Sequence, residues 1–124
     1  MQLLLKQLYP DFNARNIERI MPHFDLAANW PNGMTGGREI GHDAIRQYWV
    51  EQWQVINSQV TPKAYCAGPD RIALRVHQVI KDLHNNLMSD SFVYHTYQFT
   101  DHKVSRMDIS ETAPQLDNSE WQEI

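Results

Sequence analysis

The 124-residue sequence has one cysteine, five glycines and no excess of basic charge, and each shortage removes a class of protein. Cys66 alone cannot close an internal disulfide, so a reducing compartment, the cytoplasm, is the expected location. No apolar run approaches the ~20 residues of a membrane-spanning helix, because Leu3, Leu4 and Leu5 are cut off by Lys6. That run is also short for a secretory signal, and no small-residue cleavage site follows it. Eleven Lys and Arg stand against fifteen Asp and Glu, a formal charge of −4. Glu111, Asp117, Glu120 and Glu123 lie in a terminal stretch without a base, which leaves residues 1–110 formally neutral. A neutral body with an acidic end lacks the positive field that nucleic acid requires. The expectation is one domain over residues 1–110 and an acidic tail over 111–124, a solvated end that Trp121 could pin, with neither nucleic acid nor membrane as partner.

What is present suffices for a folded core. Hydrophobic residues make up 42% of the chain, and a domain of this length buries roughly two-thirds of its unfolded surface. The first half reads as helices. Leu4, Leu5, Leu8 and Phe12 recur at helical spacing. Asn16 is placed to N-cap a second short helix carrying Ile17, Ile20 and Met21, which Pro22 ends or bends. Pro31 biases Trp30 toward an extended backbone. Gly33, Gly36, Gly37 and Gly41 match no phosphate-binding template and read as a flexible loop. Ile45, Trp49 and Trp53 then share one stripe of a third helix over residues 42–55.

Beyond Asn57 alternation takes over. Strands are predicted over residues 60–67, 72–80, 87–100 and 104–110, with Pro62 marking an edge or a bulge. Gly68-Pro69-Asp70, His84-Asn85-Asn86 and Asp101-His102-Lys103 supply the turns. Short turns between successive strands imply an antiparallel sheet, and helices gathered at one end of the chain imply an α+β fold.

Chemistry depends on which polar groups the buried face of this sheet carries. In the strand over 72–80 the apolar phase holds one polar residue, Gln78, whose amide needs a partner in the core or in a pocket. In the following strand Val93, His95, Tyr97 and Phe99 alternate with Phe92, Tyr94, Thr96 and Gln98, and alternation alone does not choose between the phases. An inward His95 could act as general acid or base, since imidazole titrates near neutrality; a core histidine bonded to a neighbouring tyrosine is the plainer reading. Trp30, Trp49 and Trp53 suit the wall of an apolar cavity and equally suit a core. The six histidines show no metal-ligand spacing, so neither a metal nor a cofactor is expected. Cys66 reads as a small buried hydrophobe.

Three segments, Asp11 to Ile17 (DFNARNI), Gly41 to Trp49 (GHDAIRQYW) and Tyr97 to Asp108 (YQFTDHKVSRMD), carry a resemblance to the nuclear transport factor 2-like superfamily. The sequence resembles most its SnoaL-like branch, which includes polyketide cyclases and relatives of ketosteroid isomerase. The resemblance spans roughly residues 3–110. It implies a cystatin-like cone, a curved antiparallel sheet packed against three N-terminal helices, with a pocket between them and commonly a homodimer, whose face here would include Arg75, His77 and Val79. It implies that His95 matches the oxyanion-donor position of the isomerases, which turns His95 and Tyr97 inward. Trp49 matches a pocket-lining aromatic and Met107 the pocket wall. Two positions depart from the isomerases: Trp30 stands where their general-base aspartate lies, and Leu8 where their oxyanion tyrosine lies, with Tyr9 on another helix face. The implied function is a site for a small hydrophobic or aromatic metabolite, with His95 and Tyr97 as catalytic groups and Trp30, Trp49, Trp53, Gln78 and Met107 binding substrate. A non-catalytic ligand-binding or dimerisation module is the alternative.

Overall fold

The leucine stripe near the N-terminus winds Leu3–Asn13 into a helix (α1) in the computed structural model, which describes residues 3–116 and 120–124. α1 buries Leu5, Leu8 and Tyr9, and Leu4 and Phe12 pack beside them. Arg15, at φ 62°, reverses the chain into a four-residue helix, Ile17–Ile20 (α2). Asn16 occupies its N-cap position, but its side chain makes no capping hydrogen bond. Pro22 sits in a 3₁₀ turn, Met21–His23, that leads into strand β1, Phe24–Pro31. The glycine-containing loop returns the chain as a short strand, Arg38–Ile40 (β2), with Gly36 and Gly37 both at φ +82°, a conformation glycine adopts without steric cost. Gly41, at φ +92°, opens the third helix, His42–Trp53 (α3), which ends two residues short of the predicted 55.

Four strands follow: Ile56–Ala67 (β3), Arg71–Asp82 (β4), Leu87–Thr100 (β5) and Lys103–Ser110 (β6). A two-residue strand, Gln122–Glu123 (β7), ends the chain. The described residues form one open seven-stranded sheet in the order β2-β1-β6-β5-β4-β3-β7. All neighbours are antiparallel except one. β1 runs parallel to β6, which corrects the expectation of a purely antiparallel sheet; the connection over α3 lets the chain re-enter the sheet in the same sense. Pro62 lies at a register shift against β4, where a missing N–H does least harm, and further shifts fall at Ile80/Lys81 and Gln98/Phe99.

The helices and the inward face of the sheet share one core, in which Phe24, Ile45, Trp49, Leu74, Val76 and Met107 are fully buried. Asn13 fastens α1 to the sheet by a reciprocal amide pair, donating to the Val60 carbonyl (2.8 Å) and accepting from the Val60 N–H (2.9 Å). On the outer face Arg38 ties β2 to β6: its guanidinium donates to the carbonyls of Asn29 (3.0 Å) and Met107 (2.6 Å) and to the Asp108 carboxylate (3.1 Å). The C-terminal segment returns over the sheet, with Leu116 against Cys66 and Ala73 and the Trp121 ring edge-on to Tyr94 at 5.5 Å. β7 pairs with Ala64 and Tyr65 of β3. Asp117 lies outside the described residues. Among the described residues no helix is long and apolar enough to cross a membrane.

Candidate functional site

Strand alternation decides what looks inward. Leu74, Val76, Gln78 and Ile80 of β4 take the helix-facing phase, and on β5 that phase belongs to Val93, His95 and Tyr97. Between this face and helices α1 and α3 lies a partly open cavity of about 140 Å³. Trp30, Gln78, His95, Tyr97 and Met107 all line it. A closed, dry cavity of roughly this size accommodates a benzene-sized molecule, and because this one is partly open a longer body can extend out of it.

At its inner end three side chains form one hydrogen-bonded row. The Tyr9 hydroxyl lies 2.8 Å from His95 Nδ1 and 2.8 Å from the Tyr97 hydroxyl. The Tyr9 and His95 rings are stacked at 5.9 Å. All three residues are buried, and burial dictates their protonation. Loss of hydration pushes His95 down to about 4, so the imidazole is neutral at pH 7 rather than partly charged as its ordinary value of 6.5 suggests. Burial likewise raises both tyrosines, Tyr9 with a further contribution from Tyr97. A neutral row of this kind has two proton arrangements. Either Tyr97 donates to Tyr9 and Tyr9 to Nδ1, leaving an N–H at Nε2, or Nδ1–H donates to Tyr9 and Tyr9 to Tyr97, leaving a lone pair at Nε2. His95 Nε2 has no protein partner among the described residues, yet it is not sealed from solvent. It is the row's free end.

The remaining polar atoms of the wall are neutral. Ser58 and Gln78 bring a hydroxyl and an amide that bond to no other described residue. The Tyr48 hydroxyl, at the loop end of the cavity, accepts from the Gly33 N–H (2.9 Å) and from Gln52 Nε2 (3.0 Å), so its own proton is unspent. Among the described residues no Asp, Glu, Lys or Arg lines the cavity. The nearest acids in sequence to the inward strand positions are held elsewhere: Asp90 accepts from His77 Nε2 (2.6 Å), and Asp108 is clasped by Arg106 and Arg38. No three His, Cys, Asp or Glu converge on a common point among the described residues.

Trp49 and Trp53 stand away from the cavity. Trp49 is fully enclosed by Phe12, Phe24, Trp30 and Trp53, and Trp53 packs against Phe12 and under the Arg15 guanidinium. Both indole N–H groups are buried without a partner among the described residues, as in side chains that fill a core. The residues one position earlier, Tyr48 and Gln52, are the ones α3 presents to the cavity, about 100° round the helix. Tyr9 corrects a second expectation. Set aside as facing elsewhere, it is the centre of the polar row, and Leu8 lines the cavity beside it. The available signal was its spacing, four residues after Leu5 and three before Phe12, which widens the apolar stripe to include it.

No protein-family model matches the sequence, and no curated protein sequence matches it significantly. Solved structures do match. TerC, co-crystallized with polyporic acid, is 22% identical with a TM-score of 0.77, covering 88% of both chains. An NTF2-like protein of unknown function from Burkholderia pseudomallei K96243 is 16% identical with a TM-score of 0.77, again over 88% of each chain. A candidate polyketide cyclase from Sinorhizobium meliloti, protein SMa1630, is 14% identical with a TM-score of 0.75, over 89% of this chain and 95% of that one. Identities this low speak for architecture alone, and the architecture of this chain, three helices against an open seven-stranded sheet, is that of the nuclear transport factor 2-like proteins.

Proposed function

We propose that this protein binds a small, ring-containing apolar molecule in the cavity and moves a proton on it through His95, rearranging the molecule as an isomerase, cyclase or hydratase does. The observation that carries this reading is the orientation of one imidazole: Nδ1 engaged by Tyr9, Nε2 free at an apolar wall without charge. With Nδ1–H donating to Tyr9, Nε2 takes a proton from a carbon beside a carbonyl. The imidazolium so formed keeps its Nδ1–H bond, and the same proton returns to another atom of the conjugated system. The isomerisation consumes nothing, whereas a hydration by the same base would add one water. A base titrating near 4 is of carboxylate strength, comparable with the general base of ketosteroid isomerase. Tyr97 steadies Tyr9, and Trp30 and Met107 hold the ring.

Binding without turnover is favoured by the cavity wall, which has no carboxylate among the described residues, and by the resemblance, which sets Trp30 and Leu8 where the isomerases carry their base and oxyanion donor. Deuterium exchange separates the two readings. In D₂O the protein is expected to accelerate exchange at the activated methylene of 2-tetralone, with a rate flat between about pH 5.5 and 8, and His95→Gln to abolish the acceleration. Binding of 2-tetralone without exchange leaves the binding module; neither binding nor exchange overturns both.

A further inference from the structure

Resting on that reading, we infer that the ligand is uncharged and polar at two ends, with an apolar body between them. The register of the sheet separates the free polar side chains that its strands contribute into two groups, apart from the Tyr48 hydroxyl that α3 brings at the loop end. His95 pairs with Leu74, whereas Gln78 lies four residues further along β4, about 13 Å at ~3.3 Å per residue. Ser58, opposite Ile80, is further still in the same direction. Between the groups the inward positions Val76 and Val93 offer no hydrogen bond, and Trp30, Val60, Met107 and Ile109, which the strands contribute to the cavity wall, are apolar. The inner end therefore meets an imidazole, the outer end an amide and a hydroxyl, and the stretch between rewards only a ring.

Absence of charge sets the other half of the specificity. A carboxylate, phosphate or ammonium drawn to the inner end finds no counter-ion on the wall, and shedding its hydration there is unfavourable by far more than a neutral hydrogen bond returns. A phenol or ketone loses little. It can donate to or accept from His95 Nε2, because the row through Tyr9 and Tyr97 has two proton arrangements. At the outer end Gln78 offers both a donor and an acceptor, so a hydroxyl or a carbonyl is again accepted.

Titration calorimetry with four probes tests this. Naphthalene, 2-naphthol, 2,6-dihydroxynaphthalene and 2-naphthoate share one apolar body and differ only at the ends. The diol is expected to bind roughly tenfold more tightly than 2-naphthol, the naphthol more tightly than naphthalene, and naphthoate at least tenfold more weakly than the naphthol. Gln78→Leu, close in volume, and Ser58→Ala are each expected to bring the diol down toward the naphthol while leaving the naphthol unchanged. A naphthol that binds as well as the diol, or a diol indifferent to both substitutions, refutes the outer polar end and leaves the proposed function standing. Naphthoate binding as tightly as naphthol refutes charge exclusion. Failure of every probe to bind, with 2-tetralone also failing, overturns the proposed function itself.

Discussion

Tyr9→Phe removes a single oxygen, and the structure assigns that oxygen two bonds at once. The hydroxyl bridges His95 Nδ1 and the Tyr97 hydroxyl at 2.8 Å each, among residues with 3%, 6% and 1% of their surface exposed. Its loss leaves a ring nitrogen and a phenol buried and partnerless, which costs about 2–3 kcal/mol rather than the ~1 kcal/mol of an average hydrogen bond. A 124-residue domain has an unfolding entropy of about 0.26 kcal/mol/K, so Tm should fall by roughly 8–12 °C. Tyr97→Phe removes only the end of the row, since Tyr9 still holds His95, and should cost about 1 kcal/mol. The double variant leaves His95 alone without a partner, so its cost should fall short of the two single costs added together. Urea unfolding of the three variants measures all of these. Tyr9→Phe no more costly than Tyr97→Phe, or a strictly additive double variant, refutes the picture of a shared central hydroxyl.

The buried histidine makes stability fall with acid in a defined window. His95 is neutral in both states above its unfolded value of about 6.5, and its contribution is fully present there; as pH drops toward about 4, only the unfolded chain takes up the proton. About 3 kcal/mol should be lost across that range, and His95→Gln should remove that component of the slope; equal slopes in urea titrations of the two proteins refute it. At the other side of the sheet Leu116 covers Cys66, so Leu116→Ala should speed reaction of the thiol with a disulfide reagent about tenfold, and an unchanged rate shows that Leu116 does not shield it.

Long strands and their turns were legible because alternation and turn residues are local. Asn85, Asp101 and His102 adopt positive φ where the turns were expected, and β5 spans residues 87–100 as read. β2 and β7 were not legible, because strands of three and two residues carry no period. Their pairing depends on distant partners, the Arg38 fork for β2 and the edge of β3 for β7. The site shows the same division. The inward turn of Gln78 followed from the phase of β4, whereas His95 and Tyr97 needed the family resemblance, since both phases of β5 are half apolar. Core and cavity wall are equally apolar, so a stripe holding Ile45, Trp49 and Trp53 could not disclose that the cavity lies one residue to its side, at Tyr48 and Gln52. Nor does sequence report burial strong enough to discharge a histidine, which moved His95 from a residue titrating near neutrality to one neutral throughout the physiological range.

The single parallel pairing, β1 beside β6, has a consequence for how the chain is made. Phe24 and Asn29 leave the ribosome long before Val104 and Arg106, the residues they must lie against. Until then β1 with its hairpin partner β2 has no seat in the sheet, and Trp30 lacks part of the surroundings that bury it. Closing so distant a pair late makes folding slow for a domain of this size, and the step that seats β1 is also the step that completes the wall of the cavity.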